Sequence, residues 1–328
     1  MAHASIPALD ILSQGILAGD RRTLARAITV AESTLPGDQE LTDQLLRKIL
    51  PSTGKSIRIG ITGVPGVGKS TFIETFGKHV TAGGKKLAIL TVDPSSQKTG
   101  GSILGDKTRM EHLSRNTDVF IRPSPSGLAL GGVTSRTRET ILLCEAAGFN
   151  VIVIETVGVG QSETEVRNMV DFFLLMMLAG AGDELQGIKK GIVEMADGIV
   201  INKADGDNIK AARQAQADAA QALHMLPPPA SGWKIQVLTS SALEDRGIDD
   251  IWRMIRDFEH QMKRSGYFDE QRRLQIVRWF DERVEGRLKM LLSESKIQSI
   301  RADLIRQVSD GALMPAEAAA LFWKRLMP

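Results

Sequence analysis

The chain has almost none of the residues that build covalent or thiolate chemistry. Its 328 residues include one cysteine, Cys144, which excludes an intrachain disulfide framework and a thiolate zinc site. Cys144 falls within the helical pattern ETILLCEAAG and reads as a small buried hydrophobe rather than a nucleophile. The five histidines, His3, His79, His112, His224 and His260, are dispersed. The formal net charge is only +2, which argues for neither a nucleic-acid surface nor an acidic tail. No uninterrupted apolar run reaches membrane-spanning length; FFLLMMLAGAG from Phe172 is too short and reads as a buried strand. The opening MAHASIPALD lacks the basic region and long apolar core of a signal peptide. The expected setting is therefore a reducing cytoplasm, with no membrane and no nucleic-acid partner. What remains is ordinary for a soluble globular protein: 42% hydrophobic and 24% charged residues.

Three segments differ in periodicity. Residues 1–55 form a helical prefix, with Leu9, Leu12, Ile16 and Leu17 at helical spacing. Leu24, Ile28 and Ala31 follow behind an expected Asp20 N-cap, and DQELTDQLLRKIL supplies a third helix. Residues 56–264 alternate short apolar runs with helical stretches; the runs are RIGIT, LAILTV, DVFIR, VIVIE, FFLLMML, DGIVIN and KIQVLT. Continuous apolar character in short runs predicts strands buried on both faces, hence a mostly parallel α/β sheet flanked by helices. Residues 265–328 carry no strand signal. Leu274, Val277, Phe280, Val284, Leu288 and Leu291 mark one face of a long helix. Ile297, Ile300, Leu304 and Val308 mark another, and Pro315 opens a last helix with Leu321, Phe322 and Leu326. This tail either folds back on the core or pairs with its copy in a second subunit; the pattern leaves both open.

Gly63-Val64-Pro65-Gly66-Val67-Gly68-Lys69-Ser70, followed by Thr71, satisfies every fixed position of G-x-x-x-x-G-K-[ST]. It stands between an apolar run and a helical stretch, as a phosphate-binding P-loop requires. The glycines let backbone N–H groups curl around phosphates, and the following helix adds its positive N-terminus. Lys69 is expected on the β- and γ-phosphates, and the Ser70 hydroxyl on Mg²⁺.

Asn202-Lys203-Ala204-Asp205 ends the run DGIVI. A carboxylate at Asp205 can accept from the ring N–H and the 2-amino group of guanine. Adenine offers neither donor, so it would leave a desolvated carboxylate unpaired. Lys203 is expected to lie along the base, with Asn202 bracing the loops. Ser240-Ser241-Ala242-Leu243 follows the last strand, where backbone N–H groups can meet the guanine carbonyl. Three such signals at successive strand ends place the site at the carboxyl edge of the sheet and select GTP.

Glu155-Thr156-Val157-Gly158 follows VIVI, where common GTPases carry Asp-x-x-Gly. Glu155 can reach Mg²⁺ through a water. The next residue is Val159 where Ras-like proteins have a water-positioning glutamine, and Gln161 lies too far on, so slow intrinsic hydrolysis is expected. Asp93, after the second run, and Asp106, in GDKTRM, are further candidates for holding metal-bound water or orienting the attacking one. The alternative for each is a helix cap or turn residue.

Taken together these residues resemble the MeaB/ArgK family of P-loop GTPases, the chaperones of methylmalonyl-CoA mutase. The resemblance covers nearly the whole chain: GDRRTLARAIT at Gly19, GITGVPGVGKST at Gly60, TVDPSS at Thr91, GDKTRM at Gly105, ETVGVGQSE at Glu155 and AGAGDELQGIKKGI at Ala179. The resemblance implies a homodimer that binds the B12-dependent mutase and gates adenosylcobalamin delivery to it. It also implies that the chain excludes inactivated cofactor and hydrolyses GTP faster in the mutase's presence. It further makes Asp183 and Lys189, in the Gly-rich loop, candidate switch or catalytic residues. No cobalamin is expected on this chain itself. A small-molecule kinase using Asp93 or Asp106 as base is the competing reading. A nickel-delivery GTPase would need the Cys/His motifs that the chain lacks.

Overall fold

Asp20 accepts backbone N–H bonds from Arg22 (3.2 Å) and Thr23 (3.0 Å), and this cap starts the second of three N-terminal helices. They are α1 (Leu9–Leu17), α2 (Arg21–Ala31) and α3 (Pro36–Ile49). The structure is a computed structural model and describes residues 9–92, 110–123, 132–156, 162–179 and 190–326. Leu12, Ile16, Leu24, Ile28, Leu45 and Ile49 are all buried. Leu17 is 47% exposed, because one residue beyond Ile16 turns a side chain about 100° away from the buried face.

The seven apolar runs become seven strands: β1 (Ile57–Gly63), β2 (Leu87–Val92), β3 (Val119–Pro123), β4 (Val151–Thr156), β5 (Phe172–Leu178), β6 (Gly198–Asn202) and β7 (Gln236–Thr239). They form one sheet in the order β3-β2-β4-β1-β5-β6-β7, and every neighbouring pair is parallel. Successive side chains point to opposite faces. Along β2, Leu87 and Ile89 enter one core, while Ala88, Leu90 and Val92 enter the other.

The first core lies under α4 (Lys69–Ala82) and α10 (Ile248–Ser265), where Phe72, Phe76, Phe172 and Phe258 are fully buried. Phe172 and Phe258 meet edge-to-face at 5.0 Å. Each such ring contributes roughly 1.5–3 kcal/mol through burial. The second core joins α1–α3 and α6 (Gly132–Ala146) to the other face, so the N-terminal helices share their core with the sheet. Cys144 is fully buried there, and burial pushes its thiol well above the ordinary range. Between these elements run α5 (Glu111–Arg115), α7 (Ser162–Arg167), α8 (Lys190–Met195) and α9 (Ile209–Leu223).

Beyond α10 come α11 (Tyr267–Leu292), α12 (Ser295–Ser309) and α13 (Pro315–Leu326). The start of α11 is anchored to the start of β5. Arg272 pairs with Asp171 through Nε and Nη2 at 2.8 and 2.7 Å and also reaches the carbonyls of Gly54 and Ser56. Gln275 Nε2 donates to the Val170 carbonyl at 2.7 Å. The apolar stripe of Leu274, Val277, Phe280, Val284, Leu288 and Leu291 does not fold back; all six are exposed, Phe280 by 65%. Leu304 and Ala318 are buried between α12 and α13, which form a hairpin of their own.

Candidate functional site

The carboxyl ends of β1, β4, β6 and β7 lie along one edge of the sheet, where an open parallel sheet places its ligands. β1 sits between β4 and β5, and its last residues become the loop from Gly63 to Gly68. A Cβ on Gly63 would lie 2.4 Å from the Met176 carbonyl oxygen, so only glycine lets the loop leave the strand there. Gly68 adopts φ 93° and caps α4, and a Cβ on it would crowd Asn202 Nδ2 at 2.9 Å. Val67 anchors the loop in the core, while Pro65 and Gly66 are exposed at its tip.

Lys69 Nζ donates to the carbonyls of Gly63 (2.7 Å) and Val64 (3.3 Å), which holds the ammonium in the curve of the loop. Burial draws its pKa down, against the opposing pull of Glu155 and Glu163. Among the described residues no side chain caps the N-terminus of α4, so its N–H groups and positive dipole face the loop. Thr71, in the first turn, is exposed. The Ser70 hydroxyl donates to Glu155 Oε1 at 3.2 Å. Ile61 pairs in register with Glu155, which explains how residues 85 positions apart meet. A hydroxyl and a carboxylate beside a phosphate loop are hard oxygen donors of the kind Mg²⁺ takes, so Ser70 and Glu155 are the residues that would hold it.

The other end of the site is a chain of side-chain hydrogen bonds. Asn202, the last residue of β6, donates through Nδ2 to the Val67 carbonyl at 2.8 Å. Its Oδ1 accepts from the Ser240 hydroxyl at 3.0 Å. Asn202 thereby bolts the phosphate loop to the segment after β7. Lys203 takes φ 58°, and the Ala204 amide donates to the Ser240 carbonyl at 2.9 Å. The Ser241 hydroxyl donates to Asp205 Oδ2 at 2.6 Å and accepts from the Glu244 amide at 3.0 Å. Ala242 is buried and its carbonyl accepts from Thr75 Oγ1 of α4 at 2.9 Å, whereas Leu243 is 81% exposed.

The fold thus brings together Gly63–Thr71, Glu155, Asn202, Lys203, Asp205 and Ser240–Leu243. Asp93, Asp106, Asp183 and Lys189 lie outside the described residues, as does Gln161. Sequence reasoning assigned the Ser240–Ala242 stretch to backbone donors and missed the two hydroxyls, which orient Asn202 and Asp205. It also missed Thr75 and His79 on α4, which hold the same loop from below; only the three-dimensional packing of α4 against that loop marks them.

Comparison with known proteins is consistent along the chain. Residues 24–296 match the family described as Methylmalonyl Co-A mutase-associated GTPase MeaB. The GTPase ArgK of Escherichia coli is 53% identical over 267 residues, covering 81% of each chain. The mitochondrial methylmalonic aciduria type A homolog of Mus musculus is 46% identical over 327 residues, covering 96% of this chain and 79% of its own. A crystal structure titled LAO/AO transport system kinase superposes with a TM-score of 0.78 at 39% identity, covering the whole of both chains. The parallel sheet, the P-loop and these relatives agree on a P-loop GTPase, and the chain belongs to the MeaB family of methylmalonyl-CoA mutase-associated GTPases.

Proposed function

We propose that this GTPase is a chaperone of a B12-dependent methylmalonyl-CoA mutase, gating adenosylcobalamin delivery and protecting the mutase from inactivation. The observation that carries the nucleotide half of this reading is the Asn202–Asp205 segment, whose carboxylate is held by Ser241 at the sheet edge that also bears the P-loop. Guanine is read by Asp205, phosphates by the Gly63–Gly68 backbone and Lys69, and the base plane by the stem of Lys203. Ser70 and Glu155 would hold Mg²⁺, which neutralises charge developing on the phosphates. Intrinsic hydrolysis is slow because Val159 stands where a water-orienting glutamine would be. Asp93 or Asp106 holds metal-bound water or orients the attacking one, and Asp183 and Lys189 serve as switch or catalytic residues. The mutase half rests on the family and on the mouse relative.

The working unit is a homodimer. The exposed stripe from Leu274 to Leu291 on α11 supports this, since an apolar face of that length is suited to a second copy. No helix among the described residues is long and apolar enough to cross a membrane. The relatives named as GTPases favour hydrolysis over transfer to a small acceptor.

Phosphate release from GTP, alone and with a methylmalonyl-CoA mutase, tests the reading. Slow turnover that accelerates with the mutase supports it. Unchanged turnover, or stoichiometric phosphate transfer to a small metabolite, contradicts it.

A further inference from the structure

His79 lies on α4, ten residues after the P-loop lysine, and the nucleotide chemistry above leaves it without a task. Its Nε2 is 2.6 Å from Asp245 Oδ1, and its Nδ1 is 2.9 Å from Asp249 Oδ1. Carboxylates only accept hydrogen bonds, and a neutral imidazole has one N–H. Only the doubly protonated ring can donate to both partners; either neutral tautomer turns a lone pair onto a carboxylate oxygen.

The two acids belong to the segment that carries the base site. Asp245 lies in the loop between β7 and α10, and Asp249 in the first turn of α10. Asp245 takes φ 54°, a left-handed conformation that aspartate adopts more readily than most residues with a side chain. Four residues upstream in the same loop, Ser241 holds Asp205. One turn before His79 on the same face of α4, Thr75 grips the Ala242 carbonyl. α4 therefore holds the loop at two points, one neutral and one charged.

We propose that His79 is a positioning residue for guanine recognition: as an imidazolium it clamps the 241–249 segment to the P-loop helix, and loss of its proton loosens the loop that orients Asp205. This rests on the reading of Asp205 as the guanine acceptor. Among the described residues, the charged groups that face the ring are Asp245 and Asp249. Neighbouring charges are turned elsewhere: Arg246 to Glu244 and the Ala204 carbonyl, Lys78 to Glu74, and Asp250 to Arg253. From α5, the His112 amide donates to Glu74. Burial weakens the proton on His79 and the two carboxylates strengthen it, with a net rise above 6.5. The clamp is thus fully engaged below that pH and is released as pH rises through the folded value.

Fluorescent GDP binding and release, measured from about pH 6 to about pH 9, tests this with wild type, His79→Gln and His79→Arg. Relative to His79→Gln, wild-type affinity should fall by about two- to fivefold as pH rises, the scale of a solvent-exposed ion pair, mostly through faster release. Titration of the nucleotide's own phosphate is common to both proteins and cancels in the ratio. His79→Arg, cationic throughout, should stay at the tight level. Identical pH profiles for wild type and His79→Gln overturn the proposal, even if His79→Gln lowers the melting temperature of the nucleotide-free protein. If every variant binds ADP as well as GDP, the guanine reading itself fails.

Discussion

The Ser241 hydroxyl donates to the Asp205 carboxylate across 2.6 Å, joining a residue after β7 to one after β6. These two strands are neighbours at the end of the sheet, so their carboxyl-end loops lie side by side. On the proposed reading of Asp205 as the guanine acceptor, the bond fixes the carboxylate's direction before the base arrives, which would lower the ordering cost of binding.

Ser241→Ala should therefore weaken GDP binding by about tenfold, the scale of one hydrogen bond to a charged group. Ser241→Thr should restore most of the loss. Titration of fluorescent GDP against both variants measures this; an unaffected Ser241→Ala would mean that Asp205 is oriented by other groups.

Asp171 and Arg272 give a stability prediction far from the nucleotide. The Asp171 side chain is 1% exposed and also accepts from the Arg58 amide at 2.8 Å. Removing one partner of a buried, hydrogen-bonded pair costs about 3–5 kcal/mol. Arg272→Ala should lower the urea midpoint accordingly, and Arg272→Lys should recover only part, since it cannot make the two-pronged contact.

Glu139 of α6 supplies a pH dependence. Burial raises its pKa from 4.5 to about 7, against the pull of Arg283, 3.0 Å away, and of Arg136. Below pH 4.5 both folded and unfolded chains hold this proton and the group is neutral to stability. Between 4.5 and about 7 the unfolded chain gives it up while the folded chain keeps it, so stability falls as pH rises. The penalty is at most about 3 kcal/mol and is constant at higher pH. Urea unfolding across this range should show the slope in wild type and lose it in Glu139→Gln; equal slopes would contradict the assignment.

Much of this was legible in the residue order because the strands are buried on both faces. All seven apolar runs became strands, since side chains such as Leu87 and Ala88 each found a core on their own side of the sheet. The P-loop was legible because Gly66 and Gly68 take left-handed backbone, φ 81° and 93°, a local requirement that leaves glycines at a fixed spacing. What the order could not carry was contact between distant segments. His79 meets Asp245 across 166 residues, and a lone histidine in a helix has no spacing rule. Ser241 was noticed for its backbone and acts through its hydroxyl. The apolar stripe of α11 faces outward while polar residues of the same helix dock on the core, Arg272 with Asp171, Gln275 with the Val170 carbonyl and Arg283 with Glu139, and no hydrophobic pattern registers those contacts.

The claim on which the account rests is that Asp205 reads guanine. Competition binding of GTP, XTP and ATP to wild type and Asp205→Asn tests it directly. Xanthine carries a carbonyl where guanine has its 2-amino group, and an asparagine amide can donate to it. The account predicts that wild type prefers GTP and that Asp205→Asn prefers XTP, with ATP weak in both. An unchanged preference for GTP in Asp205→Asn would contradict it.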